Sequence, residues 1–260
     1  MTTTIAVAGK GGVGKTTLAA LIVKYLGAVN GPVLAIDADP SSNLNMLLGL
    51  DLESTVGDIR EGLLAQVRGG VSNMGGGNAG PPAGMAKGDY LDYEIRSSLA
   101  EGVDFDLIVM GRPEGPGCYC AVNNTLRRVI DSISENYRYV VVDNEAGMEH
   151  LSRRTTRDVD FLLIVSDPTR QGVVAANRIA ALRRELDIQV AEAYLIVNKL
   201  RGEMPPALED LIGNPDCPLL GTVPYTPAIT DFELSGRPLV ELDTDSSSYA
   251  SLTALLGTIL

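Results

Sequence analysis

Apolar runs of strand length recur along the chain between stretches of helical spacing. The runs are Thr4–Ala8, Val33–Ile36, Leu107–Met110, Tyr139–Val142, Phe161–Val165, Tyr194–Val197 and a weaker Gly221–Val223. Helical spacing marks residues 15–26, where Leu18, Leu21, Ile22, Tyr25 and Leu26 recur on one face, and residues 123–136, 173–186, 206–212 and 247–260. Strands alternating with helices predict an α/β fold. We expect one doubly wound, mostly parallel sheet of about seven or eight strands with helices on both faces, spanning residues 1–260 as a single domain. Ligands of such a sheet bind beyond the carboxyl ends of the strands. One segment breaks the rhythm. Residues 68–88 are rich in glycine, with two prolines and few large apolar side chains. They predict a flexible loop, either a plain connector or a mobile element beside a protein partner.

The turn between the first strand and the first helix carries the chemistry. Residues Gly9 to Thr16 read G-K-G-G-V-G-K-T, which fills the phosphate-loop pattern G-x-x-x-x-G-K-[ST]. Backbone N–H groups of Gly9, Gly11, Gly12, Val13 and Gly14 are expected to curl around phosphate oxygens, with Thr17 in the next turn. The helix N-terminus adds positive dipole. Lys15 is expected at the β- and γ-phosphates and Thr16 on Mg²⁺. ATP or ADP with Mg²⁺ is the ligand this implies. Lys10 is a second lysine inside the loop, beyond what the pattern requires.

Three further strand ends supply polar groups. Asp37 and Asp39 close the second strand. Their spacing of two puts both on one side if the strand continues, suited to a water-mediated Mg²⁺ contact or to orienting an attacking water. A pair of helix-capping aspartates is the alternative. Asp143 ends the run Tyr139–Val142 and is expected to be an outer-sphere Mg²⁺ ligand. Asn198 and Lys199 follow Val197, and the amide of Asn198 both donates and accepts, as reading an adenine edge requires. Pro224 and Tyr225 offer backbone and a ring near the same base. Turn formation alone would also explain either pair.

Composition narrows the partners. The chain has 260 residues, 45% of them hydrophobic, no Trp and a net charge of −12. That charge disfavours nonspecific nucleic-acid binding and docking on an anionic membrane. No apolar run approaches the roughly 20 residues of a membrane span, and the first strand begins at once, so a cytoplasmic protein is expected. Three cysteines do not make a disulfide framework in that compartment. Cys217 is read as structural. Cys118 and Cys120 stand at i and i+2, on one side of an extended segment. They are well placed to grip one soft metal ion. Two sulfurs are half of a four-ligand Zn²⁺ or Ni²⁺ site, and a symmetric dimer would supply the other half. Two buried cysteines at a helix start is the plainer alternative.

With these residues in view, the chain resembles the deviant-Walker phosphate-loop ATPases, which include septum-positioning and plasmid-partition ATPases and the nitrogenase iron protein. The resemblance implies that Lys10 crosses a dimer interface to the partner's nucleotide, that Asp39 orients the hydrolytic water with Asp37 in the same switch, and that Asp143 is the Mg²⁺-side acid. Within the group, G-R-P-E-G-P-G-C-Y-C from Gly111 to Cys120 and D-N-E-A-G-M-E-H from Asp143 to His150 most resemble the CooC-type nickel-insertion ATPases of carbon monoxide dehydrogenase maturation. A sister branch serves acetyl-CoA synthase. This implies a slow, dimerisation-coupled ATPase that holds Ni²⁺ (or Zn²⁺) between two Cys-x-Cys pairs and delivers it to an apo-enzyme. The rivals are an ATP-gated iron–sulfur electron carrier and a partition-like switch with no metal role. The tail from Ser247 to Leu260 carries no Lys or Arg, unlike the basic helix of the septum-positioning branch.

Overall fold

The first strand, β1 (Thr3–Gly9), is buried along nearly its whole length. Successive side chains of a strand point to opposite faces, so a strand apolar at every position needs cover on both sides. Ile5 and Val7 enter one core and Ala6 and Ala8 the other. The computed structural model, which describes residues 2–41, 43–67, 85–111, 120–146, 158–183 and 189–260, places this strand inside a sheet of eight.

After β1 come α1 (Lys15–Asn30), β2 (Val33–Asp37), α2 (Leu44–Leu48), α3 (Val56–Val67), α4 (Lys87–Ser97), β3 (Ala100–Glu101) and β4 (Phe105–Val109). There follow α5 (Cys120–Ser134), β5 (Tyr139–Asp143), β6 (Asp158–Ser166), α6 (Arg170–Leu182) and β7 (Gln189–Leu200). The remainder is a 3₁₀ turn at Pro206–Leu208, α7 (Glu209–Ile212), β8 (Leu219–Pro224), α8 (Pro227–Ser235), a 3₁₀ turn at Leu239–Glu241 and α9 (Ser247–Leu256). The strand order is β3-β4-β2-β5-β1-β6-β7-β8. Every pairing is parallel except β3 with β4.

Helices cover both faces. Leu18, Leu21 and Ile22 of α1 and Tyr249, Leu252 and Leu256 of α9 pack with Ile5, Val7, Val33, Val141 and Leu163. On the opposite face Ile59 of α3, Ile95 of α4, Ile130 of α5 and Ile179 of α6 meet Ala6, Leu34, Ile36, Val142 and Leu162. The expected doubly wound sheet is therefore the observed one. The apolar side of α9 is spent on this core, and no described helix is long and apolar enough to cross a membrane.

The departures are local. Predicted helix 206–212 divides into a 3₁₀ turn and the single turn α7, as Pro205 and Pro206 break regular donation. The predicted glycine-rich loop yields its last two residues, Lys87 and Gly88, to α4. Its positions 68–84 lie outside the described residues. Predicted strand 107–110 ends at Val109, but the Met110 N–H still donates to the Asp37 carbonyl at 2.8 Å. The elements α2, α3, α4, α8 and β3 were not predicted, although Val56, Ile59 and Leu63 carry the i, i+3, i+7 spacing of a buried helix face.

Candidate nucleotide site

The carboxyl ends of β1, β2 and β5 converge where the sheet reverses its winding, since β1 lies between β5 and β6. Gly9 ends β1 at φ +154°, and a Cβ there would stand 2.4 Å from the Val165 carbonyl oxygen of β6. Only glycine lets the chain turn off the strand at this point. Val13 is buried and pins the underside of the loop into the core. Gly14 caps α1 in the left-handed region at φ +91°. Lys15 is only 7% exposed, and its Nζ donates to the Lys10 carbonyl oxygen at 3.4 Å. Lys10 itself is exposed.

The carboxylates come from adjacent strands. Asp37 of β2 stands in register with Asp143 of β5, and Asp143 with Val7 of β1. The strand stops at Asp37, so the same-side argument for Asp37 and Asp39 does not hold. Instead Asp37 Oδ1 accepts from the Asp39 N–H at 3.0 Å and Oδ2 from the Leu44 N–H at 3.1 Å. Asp37 is fully buried and, through the bond to Leu44, caps α2. Burial pushes its carboxyl up to about 6, against the pull of those backbone N–H groups. Asp39, two residues further on, lines the cavity described below.

Asp143 is 1% exposed, and neither carboxylate oxygen has a hydrogen-bond partner. Burial pushes it up to about 7, and the neighbouring Asp37 charge adds to the rise. The nearby Thr16 hydroxyl and Lys15 ammonium favour the charged form without meeting hydrogen-bond geometry on those oxygens. A buried anion left unpaired costs several kcal/mol in general unless something compensates it. The residues therefore fit a hard divalent cation such as Mg²⁺, which takes one or two protein oxygens and completes its shell with phosphate and water. Asn144 braces the same strand end, donating from Nδ2 to the Val7 carbonyl at 2.9 Å.

Between the loop and these strand ends lies a cavity of about 420 Å³, lined by Gly11, Gly12, Gly14, Lys15, Thr16, Thr17, Asp39, Ser41, Glu145, Ala146 and Lys199. Ser41, Glu145 and Ala146 were not among the predicted site residues. Their signal was position alone, just after strand-terminal aspartates. Asn198 and Lys199 reach the loop from β7. Asn198 Nδ2 donates to the Val13 carbonyl at 2.8 Å, and Lys199 Nζ to the Gly12 carbonyl at 2.9 Å. Lys199 adopts φ +60° to do so. The pair thus clasps the phosphate loop, a role the sequence reading did not include. Pro224 ends β8, and the Tyr225 N–H donates to the Leu200 carbonyl at 2.8 Å. The Arg201 guanidinium stacks 3.9 Å above the Tyr225 ring. Replacing Asn198 by Ala is expected to cost about 1–3 kcal/mol of stability, because the buried Val13 carbonyl loses its donor. Chemical denaturation would check this, and an unchanged midpoint would remove the clasp from the account.

Residues 4–239 match the family model of the CobQ/CobB/MinD/ParA nucleotide-binding domain. The chain belongs to this family. It is 41% identical over 256 residues to an uncharacterized ATP-binding protein of Methanocaldococcus jannaschii, covering 98% of each chain. It is 31% identical over 261 residues to the carbon monoxide dehydrogenase accessory protein CooC of Rhodospirillum rubrum, covering 97% of this chain and 95% of that one. Among solved structures, the MinD cell division protein of Aquifex aeolicus aligns with a TM-score of 0.66 at 26% identity, over 99% of this chain and 96% of that one.

The cysteines are the part of this family member that the structure describes least. Cys118 lies outside the described residues, as do His150 and Gly147. Cys120 is the first residue of α5, and the segment that leads into it, on which the pairing of the two thiols depends, lies outside the described residues. Cys217 is 2% exposed, and burial pushes its thiol up to about 11. It is a packing residue, as expected, since a thiol so raised is a poor ligand and nucleophile at neutral pH. Among the described residues no three His, Cys, Asp or Glu side chains gather to hold a metal ion.

Proposed function

We propose that this chain is a dimerising ATPase and metallochaperone that delivers nickel to carbon monoxide dehydrogenase or to the related acetyl-CoA synthase. The observation that carries the reading is a coincidence within one chain. A phosphate loop with a second lysine, Lys10, occurs together with Cys118-Tyr119-Cys120 in a sequence 31% identical to CooC over nearly its full length.

The residues divide the work as follows. The amides of residues 9–14 and the N-terminus of α1 bind the α- and β-phosphates of ATP, and Lys15 neutralises charge at the β- and γ-phosphates. Thr16 and Asp143 would hold Mg²⁺, which when bound offsets charge building on the transferred phosphoryl group. Asp39 accepts a hydrogen bond from the attacking water and aligns it. Lys10 extends to the nucleotide of the partner chain, so ATP binding closes the dimer. Closure brings two Cys-x-Cys pairs together around one nickel ion, the cargo. Nucleotide state can bias nickel only if the open and closed dimers differ in affinity for it, and by linkage nickel then favours the closed dimer.

The test is nickel per chain by elemental analysis after loading, on the wild type and on a Cys118→Ser, Cys120→Ser variant. About half a nickel per chain, lost in the variant, is expected for one site shared across a two-fold axis. No cysteine-dependent nickel would sink the metallochaperone reading. Iron in the native protein would favour an electron carrier, and full cellular function of the variant a partition-like switch.

A further inference from the structure

The connection from β7 to β8, residues 201–218, returns the chain from the carboxyl end of one strand to the amino end of the next. Together with Leu219 of β8 it forms a groove of about 430 Å³, walled by Met204, Ile212, Pro215, Pro218 and Leu219 and including Glu209. The groove shares no residue with the nucleotide cavity. β8 is the terminal strand of the sheet, and Leu219 is 38% exposed on it. Gly213, Pro215 and Pro218 are exposed too. Small-molecule sites enclose most of their ligand. A groove this open to solvent suits a side chain presented by a larger partner.

The walls are held in place before anything binds. Ile212 and Cys217 are buried in the core. Asn214 Nδ2 donates to Asn177 Oδ1 of α6 at 3.0 Å, and Asn177 Nδ2 to the Leu211 carbonyl at 2.9 Å. The Asp216 N–H donates to Asn214 Oδ1 at 3.0 Å. Pro205, Pro206, Pro215 and Pro218 restrict the backbone further. A preformed groove costs a partner little ordering.

The charge around it has one sign. Residues 202–219 include Glu203, Glu209, Asp210 and Asp216 and no Lys, Arg or His. Glu203, Glu209 and Asp210 are exposed, and among the described residues none of the three is held in an ion pair. Arg201, just before the segment, stacks on the Tyr225 ring. Complementary charge would steer a cationic partner to this face. A second copy of the chain is a poor occupant, because it brings a further net charge of −12, and nucleic acid is repelled by the same field. We infer that the groove is a docking site for a basic segment of a partner protein, which seats one large apolar side chain in it and pairs flanking Lys or Arg with Glu203, Glu209 and Asp210.

The test is fluorescence anisotropy of the full chain with a short labelled peptide that alternates arginine with leucine. The wild type is expected to bind it, and a peptide with serine in place of leucine should bind roughly tenfold more weakly at equal charge. The variant Glu203→Lys, Glu209→Lys should weaken the leucine peptide by roughly tenfold, while Glu61→Lys, Glu135→Lys, an equal charge change at exposed positions elsewhere, should change it by less than about twofold. Leu219→Ser should weaken the leucine peptide and leave the serine peptide unchanged. Equal losses in the two charge variants, equal affinity for the two peptides, or no binding would overturn the assignment. A nucleotide-free dimer of the wild type that Leu219→Ser dissolves, seen by sedimentation, would give the groove to a second copy and overturn it as well.

Discussion

Asp143→Asn is expected to stabilise the nucleotide-free protein while abolishing ATP turnover. The carboxyl rises from 3.8 to about 7 on folding, so the folded state binds its proton more tightly than the unfolded chain. The sign follows. Stability from this group is fully present below about pH 4 and is lost as pH rises through about 7. The full difference corresponds to roughly 4 kcal/mol as an upper figure. Asp37, raised to about 6, pulls in the same direction, and the two charges are coupled across adjacent strands. An amide at position 143 keeps the shape and removes the charge. Denaturation midpoints between pH 5 and pH 8.5 should fall for the wild type and fall much less for the variant, which should be the more stable protein at pH 8. A variant less stable than the wild type at pH 8 would show that the buried charge is compensated. Turnover, by contrast, should drop at least roughly 100-fold, equivalent to about 2.7 kcal/mol of barrier. Stability gained where activity is lost is the signature of a charge kept for a ligand rather than for the fold.

Lys10→Ala is expected to lower ATP turnover by roughly a thousandfold while changing ADP binding to the single chain by less than about threefold. The turnover figure is the lower end of the scale for a cation supplied in trans to a transferring phosphoryl group. The binding figure comes from the loop. What Lys10 gives its own chain is a backbone carbonyl, the acceptor for Lys15 Nζ, and alanine retains it. Its side chain is exposed and can leave without opening a cavity. Lys15→Ala is the contrast. That side chain is buried beneath the loop, 7% exposed, and its loss should remove nucleotide binding and turnover together. Single-turnover kinetics with calorimetry would separate the two lysines. Equal losses of binding in both variants would end the trans role of Lys10.

Several parts of the fold were legible in the sequence because their cause is local. The phosphate loop is legible as glycines at positive φ followed by Lys15 and Thr16, since only glycine tolerates that backbone. The central strands are legible because burial on both faces demands unbroken apolar runs such as Val140–Val142. Other parts were not. The two-residue β3 carries no periodicity and exists only because β4 offers an edge. The helix α4 is short and follows a glycine-rich stretch that masks its pattern of Tyr90, Leu91 and Ile95.

The sequence by itself determined the fold class, the family and the loop that binds phosphate, because periodicity and backbone conformational freedom act over a few neighbouring residues. Tertiary structure alone decided which strand-end carboxylate faces the cavity and which is hidden behind it. No local pattern separates Asp37 from Asp39, yet the strand stops at the first, turns it into the cap of α2 and leaves the second lining the cavity. The same holds for Asn198 and Lys199 gripping the loop from 185 and 187 residues away. Such contacts depend on strand order and register, which bring distant segments together, and no local pattern records them.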